Sequence, residues 1–293
     1  MKTVIGSLLL AAIATLPSDS LAAEDALPDD PSAQELLDLA FRNLYDADFV
    51  QVLRITSRGR TGRELSRRLQ IVRRQTGGPG RALIRFLDPP DVRGTSLLVF
   101  QKPDRYDDVF LYLPAFERTR RISSAQRSDP FFGTDFTYED LEPKQAKDFI
   151  VRPLGTEFDG ESSRHIIEAR PRSSETSQYD RIVYAIDANT RVVIRAEYYL
   201  QGSLWKRLEI DALQILEVDG RFLPFFAQMS NLKKGTQTTI ETESYELRPE
   251  IPDSLFTETN LATGDEHRDR SRSRKGPESD SVDPSHPRSA TDQ

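Results

Sequence analysis

The sequence predicts a mainly β protein of the α+β class, built on one strongly curved antiparallel sheet. Three observations predict it. Hydrophobic spacing is helical only once, near the start, and then changes to a period of two. The period-two segments number about a dozen, at roughly 8–14-residue spacing, with no helices alternating between them, so the sheet is antiparallel. One helix and a few turns cannot cover so many strands unless the sheet wraps around them.

The chain has 293 residues, of which 37% are hydrophobic. With the 15 glycines the figure reaches about 42%, a little below the range usual for a globular protein, and the deficit is local. From Ala262 to Gln293 the apolar residues are Ala262, Val282 and Ala290, so residues 262–293 are expected to form a disordered polar tail that folding does not need. At the other end, Met1-Lys2, an apolar run from Val4 to Leu16 and small residues at Ser20-Leu21-Ala22-Ala23 read as a signal peptide over residues 1–23. The run is too short to span a bilayer, which takes about 20 residues. The mature chain is therefore expected in the periplasm, with residues 24–261 as its one folded domain.

Within that domain, Ser32-Ala-Gln-Glu35 has capping-box spacing, and Leu36, Leu37, Ala40, Phe41, Leu44 and Tyr45 recur at helical spacing, which places a helix over 32–46. Strands follow at 49–57 and 65–75, joined across the turn Arg58-Gly59-Arg60-Thr61-Gly62, then at 82–87, 95–101, 109–113 and 117–122. Residues 123–147 break the rhythm. Asp129-Pro-Phe-Phe-Gly-Thr-Asp-Phe-Thr-Tyr-Glu-Asp-Leu141 carries four aromatics without alternation, which predicts an ordered loop with a turn or two of helix. Strands resume at 149–156, 163–170, 179–186, 191–200, 203–212, 222–232 and 236–247, with a capped turn near 252–260. In the 203–212 strand Leu204, Leu208 and Ile210 form an apolar series that Lys206 interrupts.

The residues exclude much chemistry. With no cysteine there are no disulfides, thiol nucleophiles or Cys metal sites. Of three histidines, His165 alone lies in the folded region, in an alternating strand. No G-x-S-x-G nucleophile elbow is present, and Gly77-Gly78-Pro79-Gly80 precedes a strand rather than a phosphate-binding helix. Asp135, Glu139 and Asp140 lack Ca²⁺-loop spacing. No enzyme activity, metal or cofactor is expected.

Charge and apolar layout say more. Residues 50–127 hold 17 Lys/Arg and 7 Asp/Glu, a net +10 in a chain of net −7. Arg67, Arg68, Arg73, Arg74, Arg120 and Arg121 are the candidates for a basic docking face toward an anionic partner; the competing reading is the solvent side of amphipathic strands. The tail's Arg270-Ser-Arg-Ser-Arg-Lys275 sits among acidic residues and reads as a solubilising extension, not a nucleic-acid site. Phe131, Phe132, Phe136 and Tyr138 would make a large exposed patch if solvent-facing, so they face an interior or a ligand. Together with Tyr112 they are the candidate lid or cavity residues. A curved sheet can leave an apolar concavity suited to acyl ligands; an ordinary packed core is the alternative.

Several segments carry a resemblance. These are Arg85-Phe-Leu-Asp-Pro-Pro-Asp-Val-Arg-Gly-Thr95, Phe110-Leu-Tyr-Leu-Pro114, Arg118-Thr-Arg-Arg-Ile122, Phe132-Gly-Thr-Asp-Phe-Thr-Tyr-Glu-Asp-Leu141, Tyr179 to Val183, the Trp205-Lys206 strand and Leu255-Phe256 to Leu261. Over residues 32–261 the chain resembles the outer-membrane lipoprotein-sorting protein family, similar to the LolA/LolB carriers and receptors. The resemblance implies an incomplete antiparallel β-barrel with a helical lid over a cavity for the acyl chains of lipoproteins. It also implies an arginine near the start of the sheet that pins the lid, with Arg73 or Arg74 in the nearest strand context. No cysteine follows the signal to anchor a lipid. The function this implies is a periplasmic carrier of a lipid or lipoprotein, as a monomer. The alternative is an accessory or lipid-sensing subunit of an RND/MMPL-type lipid exporter or an envelope-stress system.

Overall fold

A computed structural model describes residues 31–102, 107–160, 162–173, 177–247 and 250–263. The expected signal peptide lies outside the described residues, as does the tail beyond 263. Helix α1 (Ala33–Tyr45) starts where the capping box places it. Ser32 accepts the Glu35 N–H, and the Glu35 carboxylate accepts the Ser32 N–H at 2.8 Å. The hydroxyl and the carboxylate thus satisfy helix-end donors that would otherwise be orphaned.

Six strands follow as a meander: β1 (Phe49–Arg58), β2 (Glu64–Arg74), β3 (Arg81–Asp88), β4 (Ser96–Phe100), β5 (Asp108–Leu113) and β6 (Arg118–Ile122). After the 123–148 crossing, which contains helix α2 (Tyr138–Leu141), come β7 (Phe149–Asp159), β8 (Ser162–Pro171), β9 (Arg181–Asp187), β10 (Val193–Leu200) and β11 (Ser203–Ile210). The chain continues through β12 (Ile215–Val218), β13 (Arg221–Pro224), β14 (Phe226–Asn231), β15 (Thr236–Leu247) and helix α3 (Glu258–Thr263).

Thirteen strands form one antiparallel sheet in the order β6-β5-β4-β3-β2-β1-β15-β14-β11-β10-β9-β8-β7. The first and last strands pair along their length, from Phe49 opposite Leu247 to Arg58 opposite Gln237, and so weld the two halves. β6 and β7 do not pair, and the barrel stays open there. This is the incomplete barrel that the sequence leads one to expect.

One expectation fails in the last third. A single strand at 222–232 is instead the hairpin β12–β13 followed by β14. Asp219 (φ 49°) and Gly220 (φ 79°) supply two successive left-handed residues, the signature of a tight hairpin turn. Pro224, without an N–H, ends β13. The helix α3 also runs two residues past the expected domain end at 261.

Strand alternation divides the core. On the concave face, Leu37 and Phe41 of α1 pack with Ile167, Ile182, Tyr184 and Met229. A second concave cluster joins Leu53, Leu69, Phe86, Leu97 and Leu111 to Phe131 of the crossing. On the convex face, Val72, Leu83 and Leu98 are covered by Ile251, Leu255, Phe256 and Leu261. Arg74 and Arg81 hold that C-terminal cover through Asp253, at 2.8 and 2.6 Å.

The helix face gives a direct check. Leu37 is fully buried and Leu39 is 45% exposed. Leu37→Ala is expected to cost about 2–5 kcal/mol through cavity formation, and Leu39→Ala under about 0.5 kcal/mol. Urea unfolding of both variants measures the difference.

Candidate functional site

The 123–148 crossing passes through the open mouth of the sheet. A turn at Phe131–Gly133 places Phe132 (φ 47°) and Gly133 (φ 75°) in the left-handed region. That conformation is costly for a bulky residue such as Phe132. Its ring is held by Phe86 and Phe131, with centroids at 4.6 and 5.0 Å. Phe131 and Phe136 are buried in the two concave clusters, and Leu141 touches both.

Polar residues of the same run staple it to the sheet. Asp135 accepts hydroxyls from Thr236 at 2.5 Å and Thr238 at 2.8 Å, both on β15. Glu139 accepts the Ser177 hydroxyl at 2.5 Å and the Gln178 N–H at 3.2 Å, ahead of β9. Asp140 accepts the Thr137 N–H at 2.8 Å, closing a capping box on α2.

At the centre is an ion pair. Lys206 Nζ lies 2.5 Å from Asp140 Oδ2, and both side chains are 1% exposed. Lys206 also donates to the Asp135 carbonyl at 3.2 Å. Its ammonium faces the rings of Trp205, Tyr179 and Tyr198 at 5.0, 5.3 and 5.7 Å. The Tyr179 hydroxyl donates to Asp140 Oδ1 at 2.6 Å. Burial pushes the Asp140 carboxyl up, but the Lys206 ammonium and the two hydrogen bonds from Lys206 and Tyr179 outweigh it, leaving it below the usual carboxylate range. Burial first, then the Asp140 charge, raises the Tyr179 phenol well above its usual value.

Two cavities flank α1. A small apolar pocket of about 90 Å³ lies beneath it, roofed by Ala40 and Phe41 and floored by Tyr184, Ala196, Tyr198 and Leu208. The Tyr184 hydroxyl is buried there without a hydrogen-bond partner among the described residues. A wider cleft of about 680 Å³ opens beside the C-terminal end of α1, where Arg73, Gln75 and Gln101 face Lys144 and Lys147. Phe41, Tyr45 and Lys144 line both. Arg73 is 5% exposed and donates from Nε to the Tyr45 carbonyl at 2.8 Å, tying the helix end to β2.

The crossing therefore fills the concavity with Phe131 and Phe136, while Phe132 and Tyr138 stand half-buried at its margin. Tyr112 is a correction. Val109 and Leu111 face the crossing, so Tyr112, one position out of phase, packs on the convex side with the C-terminal cover. The six arginines likewise do not form one face. Arg67 and Arg73 share the concave face with Leu69, whereas Arg68 and Arg74 point outward to Glu243 and Asp253. Arg120 lies in phase with concave Leu111, and Arg121 pairs with Asp108 on the convex side. Lys206 stands out in the sequence as an interruption of an apolar series, within a strand that also carries the family resemblance. A lysine in the inward phase of a strand requires a buried counter-charge, and that requirement was the available signal.

Residues 78–263 match the model of a protein family described as "uncharacterized protein". The chain belongs to that family. No curated protein matches it in sequence. Among solved structures, a domain described as an outer membrane lipoprotein-sorting protein from Vibrio parahaemolyticus superposes with a TM-score of 0.71 at 24% identity, over 78% of this chain and 98% of that one. A DUF1329 family protein from Desulfovibrio piger gives 0.71 at 25% identity, again over 78% and 98%. A LolA superfamily protein from Nitrosomonas europaea gives 0.63 at 19% identity, over 79% and 100%. The resemblance read from the sequence stands: this is the fold of the lipoprotein-sorting and LolA-superfamily proteins.

In this lipoprotein-sorting fold the buried pair makes a testable contribution. Asp140→Asn leaves an uncompensated buried ammonium, and Lys206→Met an uncompensated carboxylate. Each is expected to cost about 3–5 kcal/mol, with the double variant costing less than the sum. Because the folded pKa of Asp140 is depressed, its stabilisation is complete above the ordinary aspartate value of about 3.9 and is lost as pH falls through the lower folded value. Denaturant titrations of the four proteins at neutral and acid pH, with the cycle closing as pH drops, check both statements.

Proposed function

We propose that this protein is a periplasmic carrier that holds acyl chains of a lipid or lipoprotein between α1 and the second half of the sheet. The observation that carries the reading is the apolar pocket beneath α1, together with how differently the two covers of the concavity are fastened. The crossing is stapled by buried carboxylates and by Lys206. Among the described residues helix α1 is tethered at its two ends and only through neutral carbonyls: Gln34 to Ala146 and Asn43 to Phe222, each at 2.6 Å, Arg73 to Tyr45, and Arg221 to Arg42 and Asn43 at 2.7 and 3.1 Å. Displacing α1 would open the pocket and uncover the apolar floor beneath Leu37 and Phe41. An acyl chain taking that place would be held at about 0.8 kcal/mol per CH₂.

The lipoprotein-sorting description of the Vibrio parahaemolyticus domain and the LolA-superfamily membership of the Nitrosomonas europaea protein support the reading. So does the signal-peptide pattern at residues 1–23. Among the described residues no helix is long and apolar enough to cross a membrane, and no group of His, Cys, Asp or Glu is arranged to hold a metal. The mechanism is passive binding without catalysis. The exported chain, acting as a monomer, passes its cargo to an acceptor with better burial, an RND/MMPL-type exporter being one such partner.

Native mass spectrometry of the protein purified from the cell envelope tests this. The expected spectrum contains adducts of acyl-chain mass. Ala40→Leu, which fills the pocket at its roof, is expected to weaken dodecanoate binding about tenfold, the equivalent of roughly two lost CH₂ contacts. Protein that carries no lipid and takes up no dodecanoate contradicts the carrier reading.

A further inference from the structure

Two cations are buried in the described structure, Arg73 and Lys206, and they differ in one respect. Lys206 has a carboxylate partner in Asp140. Arg73 has none within ion-pair distance among the described residues, and the carboxylates of Asp107 and Asp46 act on it only from farther away. Its guanidinium donates to neutral oxygens: the Tyr45 carbonyl, Gln75 Oε1 at 2.6 Å and Gln101 Oε1 at 3.5 Å. The helix C-terminus at Tyr45 offers partial negative charge, which compensates a cation only in part.

The surroundings reinforce that imbalance. Arg73 borders the 680 Å³ cleft, a volume within the range of small-ligand sites. Beside Arg73 the cleft is lined by the cationic side chains of Arg42 and Lys144 and by the carboxylates of Asp38 and Asp46. Asp38 is paired with Arg42 at 2.8 Å. Asp46 is solvent-exposed at the cleft rim. Lys144 donates to the neutral Glu139 carbonyl at 3.0 Å. Gly80 completes the pattern. A Cβ there would fall within 3.0 Å of Gln101 Oε1, Gln75 Oε1 and Arg73 Nη2, so the absence of a side chain is what lets these polar groups converge at the cleft wall.

We propose that this cleft binds a phosphate-type oxyanion, with Arg73 and Lys144 as the groups that hold it. Charge-assisted bonds from a planar guanidinium and an ammonium suit such a ligand. A lipid head group and free phosphate share this chemistry. The geometry places the oxyanion at the mouth of the apolar pocket, because Phe41, Tyr45 and Lys144 line both cavities. An acyl chain attached to it would run under α1, and that part of the inference rests on the carrier reading.

Calorimetric titration of the mature chain with dodecyl phosphate, glycerol monododecanoate and inorganic phosphate tests the proposal and keeps it separable from the carrier reading. Dodecyl phosphate is expected to bind at least about tenfold tighter than glycerol monododecanoate, with the advantage shrinking as salt is raised. Arg73→Gln and Lys144→Gln are expected to abolish that advantage, read as the ratio of the two affinities, because Arg73 also tethers α1 and Lys144 also lines the apolar pocket. Lys144 is only half-buried, so its variant remains informative if loss of Arg73 unfolds the helix end. Displacement of dodecyl phosphate by inorganic phosphate supports the oxyanion site and identifies free phosphate as a sufficient ligand; no displacement, with dodecyl phosphate still preferred, supports the site with a lipid head group as its ligand. Equal affinity for the two amphiphiles overturns the oxyanion site and leaves the carrier reading intact. Binding of neither amphiphile, with inorganic phosphate still bound, overturns the carrier reading and leaves the oxyanion site. A folded Lys144→Gln protein with an undiminished preference for dodecyl phosphate overturns the assignment.

Discussion

A single ammonium buried on the concave face sets the terms for the rest of this structure. Lys206 sits where the phase of β11 calls for an apolar residue, and at 1% exposure it cannot keep its charge without a partner. Asp140 supplies that partner from a segment 66 residues away. To reach it, the crossing between the two open edges must enter the concavity rather than bulge into solvent. Its aromatics are thereby carried into the core: Phe131 among the residues of β3 to β5, and Phe136 beneath the second half of the sheet. The same descent puts Asp135 within reach of the β15 threonines and Glu139 within reach of Ser177.

With the crossing fixed, the two covers of the concavity take different roles. The crossing is bound by charged and hydroxyl groups whose loss would leave buried polar atoms unsatisfied, which makes partial opening expensive. Helix α1 meets the sheet through an apolar stripe and a few peripheral hydrogen bonds, and apolar contacts can be exchanged for those of an acyl chain at little net cost. A carrier needs one rigid wall and one displaceable one. The distribution of polar and apolar contacts is what supports the carrier proposal. Arg73 lies at the junction, bonded to the last carbonyl of α1 and facing the cleft through which a head group would approach.

Much of this was legible in the sequence, for identifiable reasons. The helix and most strands follow from hydrophobic period and capping chemistry, which are local. The helix was read from Ser32 and Glu35, and the structure keeps both in the same roles. The hairpin β12–β13 was missed because its strands have four residues each, too few to show a period, although Asp219-Gly220 and Pro224 were there to be read. The grouping of Arg67 with Arg68, and of Arg73 with Arg74, ignored the fact that neighbours in a strand face opposite ways. Tyr112 went astray for the same reason. The convex cover at Ile251 to Leu261 left no mark on β5 that sequence alone could interpret. Lys206 is an anomaly in the sequence itself, but its partner is not legible there, because pairing between distant segments is set by the fold and not by local pattern.

Native-state hydrogen exchange, read residue by residue, tests the central claim most directly. If the crossing is the fixed wall and α1 the displaceable one, amides of residues 131–141 will exchange only through global unfolding. Amides of residues 36–45 will exchange through a smaller local opening, which bound dodecanoate makes more frequent by occupying the floor that α1 vacates. Exchange of the 131–141 amides through a local opening, at or below the free energy that opens α1, would contradict the account.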